Sequence, residues 1–213
     1  MLGRSVAVGV SAVVLAALFV PDALAVKVHV RVEGKNRTIF GATAPLIDVT
    51  SPRANPLPES ALDALESASV LGEFYYHVTG SPTLRVDQIG RYPAVGQTAW
   101  LYKVNGVAPA VPPNEYRLKR GDRVLWYFAQ FGIVPGGPKT LVLTRLPRSN
   151  CYRVQAQDDG GTPTAAIGAV LHVGKRAVKT QGATQFALGC VGPHRGVLVR
   201  ATLDGAIRSN ALP

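Results

Sequence analysis

The first regular pattern in the chain is an alternation of apolar and polar side chains. Valine occupies every second position from 26 to 32, and Lys27, His29, Arg31 and Glu33 lie between these valines. A period of two is typical of a β-strand with one buried face. A polar, turn-prone stretch and a second β-favouring run at residues 38–40 follow, which predicts a hairpin. His29 belongs to the polar set, and we therefore expect its side chain to be solvated.

One segment has the spacing of an amphipathic helix. It follows a proline-rich stretch, and it opens with Ser60 and, three positions later, Asp63, a spacing that resembles a capping box. Apolar residues then recur at positions 61, 62, 65 and 68, and Gly72 follows. The pattern predicts a helix that begins after Ser60 and ends at Gly72.

The remaining patterns are those of strands. In the first half they cover residues 74–78, 84–89, 99–104 and 124–128, and in the second half residues 141–143, 152–156, 169–173, 184–188 and 197–202. A single amphipathic helix has one apolar stripe, so its natural position is across one face of a mixed sheet, the layout called β-grasp. We therefore predict an α+β domain of the β-grasp type, followed by an all-β immunoglobulin-like sandwich.

The composition places boundaries between these parts. Residues 132–138 are rich in glycine and proline and predict a linker between a first domain at 26–131 and a second at 139–213. Cys151 and Cys190 are the only cysteines and both lie in the second domain. We expect them to form a disulfide, because two thiols this far apart lack the paired spacing of zinc sites.

Residues 1–25 differ from the rest of the chain. Arg4 precedes an apolar run from Val6 to Val20, and the segment closes with Ala23-Leu24-Ala25. These are the features of a secretory signal peptide cleaved after Ala25, with an uncleaved anchor as the alternative. We therefore expect a secreted or cell-surface protein of bacterial type, with no membrane span after cleavage and with its cysteines in an oxidising compartment.

The chain is basic, with a formal net charge of +10. The charge predicts attraction to polyanions, such as an anionic wall polymer, although it can also serve solubility alone. The basic clusters at residues 117–123 and 175–179 contain few aromatic side chains, and stacking aromatics usually accompany nucleic-acid sites. We therefore expect no specific nucleic-acid binding.

Three motifs in the first domain carry a resemblance to a known family. The segment at residues 100–106 reads W-x-Y-x-V-N-G, and it is followed by Y-x-L at 116–118 and G-D-x-V at 121–124. These motifs, with the opening strand and the helix, resemble the transcobalamin-like C-terminal domain family, exported bacterial β-grasp domains that are largely uncharacterised. The resemblance implies the fold, and it implies a corrinoid-like ligand only as an alternative, since the helical barrel that completes the corrinoid site in transcobalamins is absent.

The second domain resembles bacterial immunoglobulin-like and carboxypeptidase-regulatory-like sandwiches in the rhythm of its strands and turns, for example G-T-P at residues 161–163. Members of that group act mostly as spacers or adhesion modules. The resemblance therefore favours a role in contact with other molecules over a role in catalysis.

No motif in the sequence predicts catalysis. The four histidines are far apart and form no zinc pair, and we find no nucleophile elbow, phosphate loop, dinucleotide fingerprint or calcium loop. We expect no enzyme activity and no cofactor, and we interpret Asp122 as a turn residue. A cell-wall enzyme with an unrecognised site remains an alternative, which two titratable groups converging in one cleft would support.

The predicted function is therefore that of a secreted, non-enzymatic binding or surface-interaction protein. Its partner would be a protein, a polysaccharide or a small ligand at the cell surface. The candidate binding residues are the aromatic side chains of Trp100, Tyr102 and Tyr127. The alternative for Trp100 and Trp126 is packing in the hydrophobic core.

Overall fold

The computed structural model describes residues 25–50, 57–81, 83–132, 137–183 and 186–213. The predicted signal peptide up to residue 24, residues 133–136 of the predicted linker and the start of the predicted strand 184–188 lie outside the described residues.

The first half folds as one mixed sheet with a helix and a smaller sheet. Its elements are β1 (Lys27–Glu33), β2 (Thr38–Phe40), β3 (Leu46–Asp48), α1 (Ala61–Leu71), β4 (Tyr76–Thr79), β5 (Arg85–Ile89), β6 (Tyr92–Pro93), β7 (Thr98–Val104) and β8 (Arg123–Gln130). The order in the large sheet is β2-β1-β8-β7, and β3 also pairs with β1. Strands β1 and β8 are parallel, whereas β7 is antiparallel to β8. The predicted hairpin of β1 and β2 is confirmed.

Helix α1 crosses one face of this sheet and contacts β1, β3 and β8. The predicted capping box is confirmed: the Ser60 side chain accepts a hydrogen bond from the Asp63 backbone N–H, and the Asp63 carboxylate accepts one from the Ser60 backbone N–H. Two of the N–H groups that every helix start leaves without partners are thereby satisfied. The helix ends before Gly72, whose N–H donates to the Ala68 carbonyl.

The second half is built from strands in two sheets. They are β9 (Thr140–Arg145), β10 (Cys151–Gln157), β11 (Pro163–Ala165), β12 (Val170–Val173), β13 (Arg176–Lys179), β14 (Gln181–Ala183), β15 (Phe186–Cys190) and β16 (Val199–Thr202). One sheet has β10 at its centre and the other is β13-β12-β16. Apolar side chains from both sheets share one cluster, so the sheets pack face to face. The predicted disulfide between Cys151 and Cys190 is confirmed, and it links the paired strands β10 and β15.

Each half has its own cluster of buried apolar residues. The cluster of the first half lies between α1 and the large sheet and is rich in aromatic side chains. The cluster of the second half contains mainly valine, leucine and alanine, with Tyr152.

The expectation that the polar positions of β1 face solvent is wrong for Arg31 and Glu33. Arg31 is 7% exposed and Glu33 is fully buried. His29 is half-buried, and its Nδ1 lies 2.7 Å from the Ala44 carbonyl oxygen. The face of the sheet opposite α1 is covered by the second half of the chain, a partner that periodicity along one strand cannot reveal.

Candidate functional site

A cavity of about 530 Å³ lies at the edge of the large sheet that β7 forms. Its walls are residues 98–102 of β7, residues 85–87 of β5 and the proline-rich loop at 108–113. Consecutive residues of a strand point to opposite faces, so five in a row can line a cavity only where it meets the strand edge. The volume falls in the range of about 300–1,000 Å³ that is typical of ligand pockets.

Trp100 and Tyr102 line this cavity from the helix side of the sheet. The Tyr102 ring stacks on Trp126 with a centroid distance of 5.2 Å, and Trp100 meets Phe128 edge to face at 5.4 Å. Trp100 is 6% exposed and Trp126 is 1% exposed, which confirms that both pack in the core. The aromatic residues of the motif are therefore core residues that also form a cavity wall.

Tyr127 also lines the cavity, but from the opposite face of the sheet. It lies beside Leu101 in the register of β7 and β8, whereas Trp126 lies beside Tyr102. Its hydroxyl donates to the Asp159 carboxylate at 3.3 Å, and burial raises the pKa of this phenol above its ordinary value. The three predicted binding residues thus border one cavity without forming a single flat platform.

The indole N–H of Trp126 is a buried donor with no hydrogen-bond partner among the described residues. Trp126 lines the same cavity. Most buried polar groups in proteins are hydrogen-bonded, and an unpaired one costs free energy. A ligand acceptor that reached this group would remove the cost.

The outer edge of β7 leaves backbone groups available to the cavity. The Gln97 carbonyl accepts from the Phe131 N–H, and the Asn105 N–H donates to the Arg123 carbonyl, so the odd-numbered residues between them face β8. The even-numbered residues face outward. Thr98 and Val104 bond to the loops at the ends of the strand. No strand within the described part of the chain pairs with Trp100 and Tyr102 on this side.

The proline-rich loop is held against β7 by polar contacts. The Tyr102 hydroxyl donates to the Val111 carbonyl at 2.7 Å, and the Ala108 N–H donates to the Asp159 carbonyl at 2.8 Å. The loop starts at Asn105 and Gly106, which both have positive φ values and form the predicted turn. The cavity wall is therefore anchored by both halves of the chain.

Asp122 is confirmed as a turn residue. Its carboxylate accepts from the Lys119 N–H and from the Asn105 side-chain amide, each at 2.8 Å. The Asn105 side-chain oxygen in turn accepts from the Arg123 N–H. The N-G and G-D pairs of the motif thus fix the two turns that flank β7 and β8.

A charged cluster joins the two halves on the face of the sheet opposite α1. The Glu33 carboxylate receives hydrogen bonds from Arg200 and from Arg208, with shortest distances of 3.0 Å, and Arg31 lies 3.5 Å away. Thr38 also donates to this carboxylate. One fully buried carboxylate is therefore surrounded by three guanidinium groups from both halves.

Burial affects the arginines of this cluster. Desolvation lowers the pKa of Arg31 to about 10, against the opposing effect of Glu33. Desolvation also lowers the pKa of Arg200. Neighbouring guanidinium groups lower both pKa values as well, so the single Glu33 carboxylate does not offset desolvation and repulsion together.

Lys103 is the second ionic contact between the halves. Its side chain is 1% exposed, and its Nζ lies 2.6 Å from the Asp158 carbonyl oxygen and 3.2 Å from the Asp159 carboxylate. Desolvation lowers the pKa of this amine, and Asp159 opposes the shift. Since the ammonium hydrogens are directed at acceptors on β9, at the end of β10 and in the turn after it, we interpret Lys103 as an anchor between the two halves.

Other candidate features lie away from the cavity. Arg117 of the first basic cluster is 64% exposed and lies 3.6 Å from Glu59, and the second cluster at 175–179 is mostly exposed. Among the described residues, no group of three or more His, Cys, Asp or Glu side chains could hold a metal ion. None of the helices in the described part is long and apolar enough to cross a membrane.

Comparison with known proteins gives one family match. Residues 59–130 match the model of a domain of unknown function, DUF4430. The matched segment runs from the residue before the cap of α1 to the end of β8, and it therefore includes β5, β7 and the proline-rich loop. No curated protein matches the chain.

Sequence reasoning missed three features of this region. Trp126 was not among the predicted binding residues, and Glu33 and Lys103 were not singled out as contacts. The burial of Glu33 had no signal in the strand alternation, because its partners Arg200 and Arg208 come from the second half of the chain. The free edge of β7 had no sequence signal, because edge position depends on how strands far apart in the chain pair.

Proposed function

We propose that this protein is an exported, non-enzymatic binding or surface-interaction protein whose ligand occupies the cavity at the β7 edge. The observation that carries the proposal is the cavity itself, a pocket of about 530 Å³ with aromatic walls and a few polar groups. Pockets of this size, mainly apolar with convergent polar groups, are the usual form of small-ligand sites.

The cavity has rigid walls and groups that could orient a ligand. Trp100, Tyr102 and Trp126 are fixed by core packing, so ordering them on binding costs little conformational entropy. The Asp87 and Asp159 carboxylates, 37% and 53% exposed, border the cavity and supply charge at its mouth.

The proposed domain architecture is a β-grasp domain at 26–131 joined to an immunoglobulin-like sandwich at 139–213. The parallel central pair β1 and β8 with α1 across one face supports the first assignment, and the two packed sheets support the second. The disulfide fits an oxidising compartment and so supports export. The basic surface supports contact with an anionic wall polymer as a further role.

A corrinoid-like ligand is the second candidate. The W-x-Y-x-V-N-G motif that resembles the transcobalamin-like family lies inside the matched segment, and its aromatic residues line the cavity. On this proposal the cavity would hold one side of the corrinoid and leave the other side open.

The experiment compares two variants that carry the same substitution two positions apart. Ala108 lines the cavity, whereas Ala110 is exposed and does not line it. Ala108→Trp should fill the cavity, and Ala110→Trp should leave it open. The probes are the dye anilinonaphthalene sulfonate, followed by fluorescence, and cyanocobalamin, followed by the shift in melting temperature.

Dye binding to the wild type and to Ala110→Trp, but at least about tenfold weaker binding to Ala108→Trp, would support the cavity as the site. Equal binding to all three proteins would overturn the proposal, because the dye would then occupy another surface. A cyanocobalamin shift that Ala108→Trp abolishes would favour the corrinoid candidate, and its absence at millimolar concentration would remove it.

A further inference from the structure

We infer that the cavity binds an extended peptide, which pairs with the free edge of β7 as an additional strand. This inference rests on the proposed function, because it specifies the ligand of the same cavity. It follows from the backbone of Trp100 and Tyr102, which no described strand satisfies, and from the walls on either side of it.

Strand β7 is an edge strand, and two of its residues have backbone groups that pair with no described strand. Trp100 and Tyr102 each direct an N–H and a C=O away from β8, two residues apart. An antiparallel or parallel peptide presents complementary groups at the same spacing. Addition of a strand to an exposed sheet edge is a general way in which proteins bind peptides, with main-chain hydrogen bonds as the source of affinity.

Strand β7 itself has no proline, bulge or exposed charge that would prevent pairing at its edge. Its register with β8 runs without a bulge from Thr98 to Val104. It contains no proline, and its one charged side chain, Lys103, is buried. Natural proteins usually blunt such edges with prolines, bulges or exposed charges. Because β7 lacks these features, its edge can accept an additional strand.

The walls of the cavity favour a single peptide strand as the occupant over the sheet edge of another folded protein. Residues of β5 and of the loop at residues 108–113 line the cavity together with the edge. The sheet edge of a second folded copy would bring its own neighbouring strand and loops against these walls. A single extended peptide needs only the space of one strand, about 4.8 Å from β7.

The side chains around the edge indicate the chemistry of the peptide. On one face a bound strand would lie beside Trp100, Tyr102 and Val111, and on the other beside Leu101 and the Asp159 carboxylate. Side chains of a strand alternate between faces. We therefore expect apolar residues at every second position and polar or basic residues between them.

The test uses an acetylated hexapeptide amide of alternating valine and lysine, and it reads backbone hydrogen exchange by NMR in the full folded protein. The amides of Trp100 and Tyr102 should slow at least about tenfold at ten times the dissociation constant, since exchange requires release of the peptide. The amides of Leu101 and Lys103, which face β8, serve as internal controls and should not change.

Two matched peptides test whether the main chain carries the binding. One is N-methylated at every valine and the other at every lysine. In a bound strand the backbone N–H groups of one residue type, either the valines or the lysines, face β7, and those of the other type face away. We expect the affinity of one methylated peptide to fall at least about tenfold, because a methyl group removes the donor of a hydrogen bond to β7. The other methylated peptide should bind more tightly than the first.

Several results would overturn the inference. These are no binding up to about 1 mM peptide, unchanged exchange at Trp100 and Tyr102 in the bound state, or equal binding of the two methylated peptides. Slowing without peptide that grows with protein concentration would identify a second copy as the occupant instead. If the dye still distinguishes Ala108→Trp from Ala110→Trp in these cases, the cavity remains a ligand site and only the peptide is wrong.

Discussion

The two faces of the large sheet are both buried, but by opposite chemistry. Against α1 the sheet presents valines and stacked aromatic rings, including Trp100, Tyr102 and Trp126. Against the second half of the chain it presents Arg31, Glu33, Lys103 and Tyr127, whose charged or polar groups bond to partners on that half.

The comparison shows how a face can be buried without being apolar. The helix face is stabilised by removal of apolar surface from water, which depends on area and packing. The other face is stabilised only if each buried charge finds its partners, because unpaired charges in the interior are costly. The ionic face should therefore be less tolerant of a change that leaves a buried charge without its partner, and it should fix the orientation of the two halves.

The largest expected effect is loss of the countercharge on the ionic face. Glu33→Gln leaves Arg31, Arg200 and Arg208 close together with no carboxylate, and we expect it to lower the free energy of unfolding by about 3–5 kcal/mol. Urea unfolding followed by tryptophan fluorescence measures the change.

The control for this change is Glu115→Gln, which alters an exposed carboxylate and should shift stability by no more than about 0.5 kcal/mol. Addition of Arg200→Met to Glu33→Gln should recover part of the loss, because one uncompensated charge is removed. A loss as small as that of the control would contradict the view that the ionic face depends on this carboxylate.

The helix face should respond less strongly to a conservative change. Trp100→Phe keeps a ring against Phe128 but loses the hydrogen bond from the indole N–H to the Tyr92 carbonyl, which is 2.8 Å long. We expect a loss of about 1–3 kcal/mol from the missing donor and the smaller ring. Thermal unfolding of Trp100→Phe and Glu33→Gln in parallel compares the loss of stability on the two faces. A larger loss for Trp100→Phe than for Glu33→Gln would refute the comparison.

The smallest expected effect at neutral pH is that of Lys103→Met. The variant removes a buried charge, while Asp159 is 53% exposed and can be hydrated, so we expect a change within about 1 kcal/mol at pH 7. Chemical unfolding of the wild type and the variant over a series of pH values measures the difference.

The pH dependence gives this variant a second test. Because burial lowers the pKa of Lys103 in the folded protein from its ordinary value of 10.5, the unfolded chain binds more protons in the interval between the two values. The stability of the wild type relative to Lys103→Met should therefore rise with pH through that interval, up to about 10.5, and level off above it. A relative stability that falls over this range would show that the pKa of Lys103 is raised in the folded protein, and that its ionic contacts outweigh desolvation.

Much of the local structure could be predicted from the sequence. The strand alternation at 26–32, the capping box at Ser60 and Asp63, and the turn at Asn105 and Gly106 all lie in the predicted elements. These features depend on contacts within a few residues. The short strands β3, β6, β11, β13 and β14 were missed, since two to four residues carry too little periodicity to be recognised.

The candidate site could be predicted only in part from the sequence. Trp100, Tyr102 and Tyr127 were predicted as binding residues from their motif, and all three border the cavity. Their separation onto two faces follows from the register of β7 and β8. The walls supplied by β5 and the proline-rich loop come from segments whose positions beside β7 no local pattern fixes.

The sequence by itself determined the longer strands, the start and end of the helix, and the pairing of the two cysteines. These outcomes depend on side-chain periodicity, turn chemistry and compartment, which act over short distances along the chain. Tertiary structure alone decided that β7 lies at an edge and that Glu33 and Lys103 are buried. Both depend on which distant surfaces meet, because pairing and desolvation arise only when the two halves are brought together.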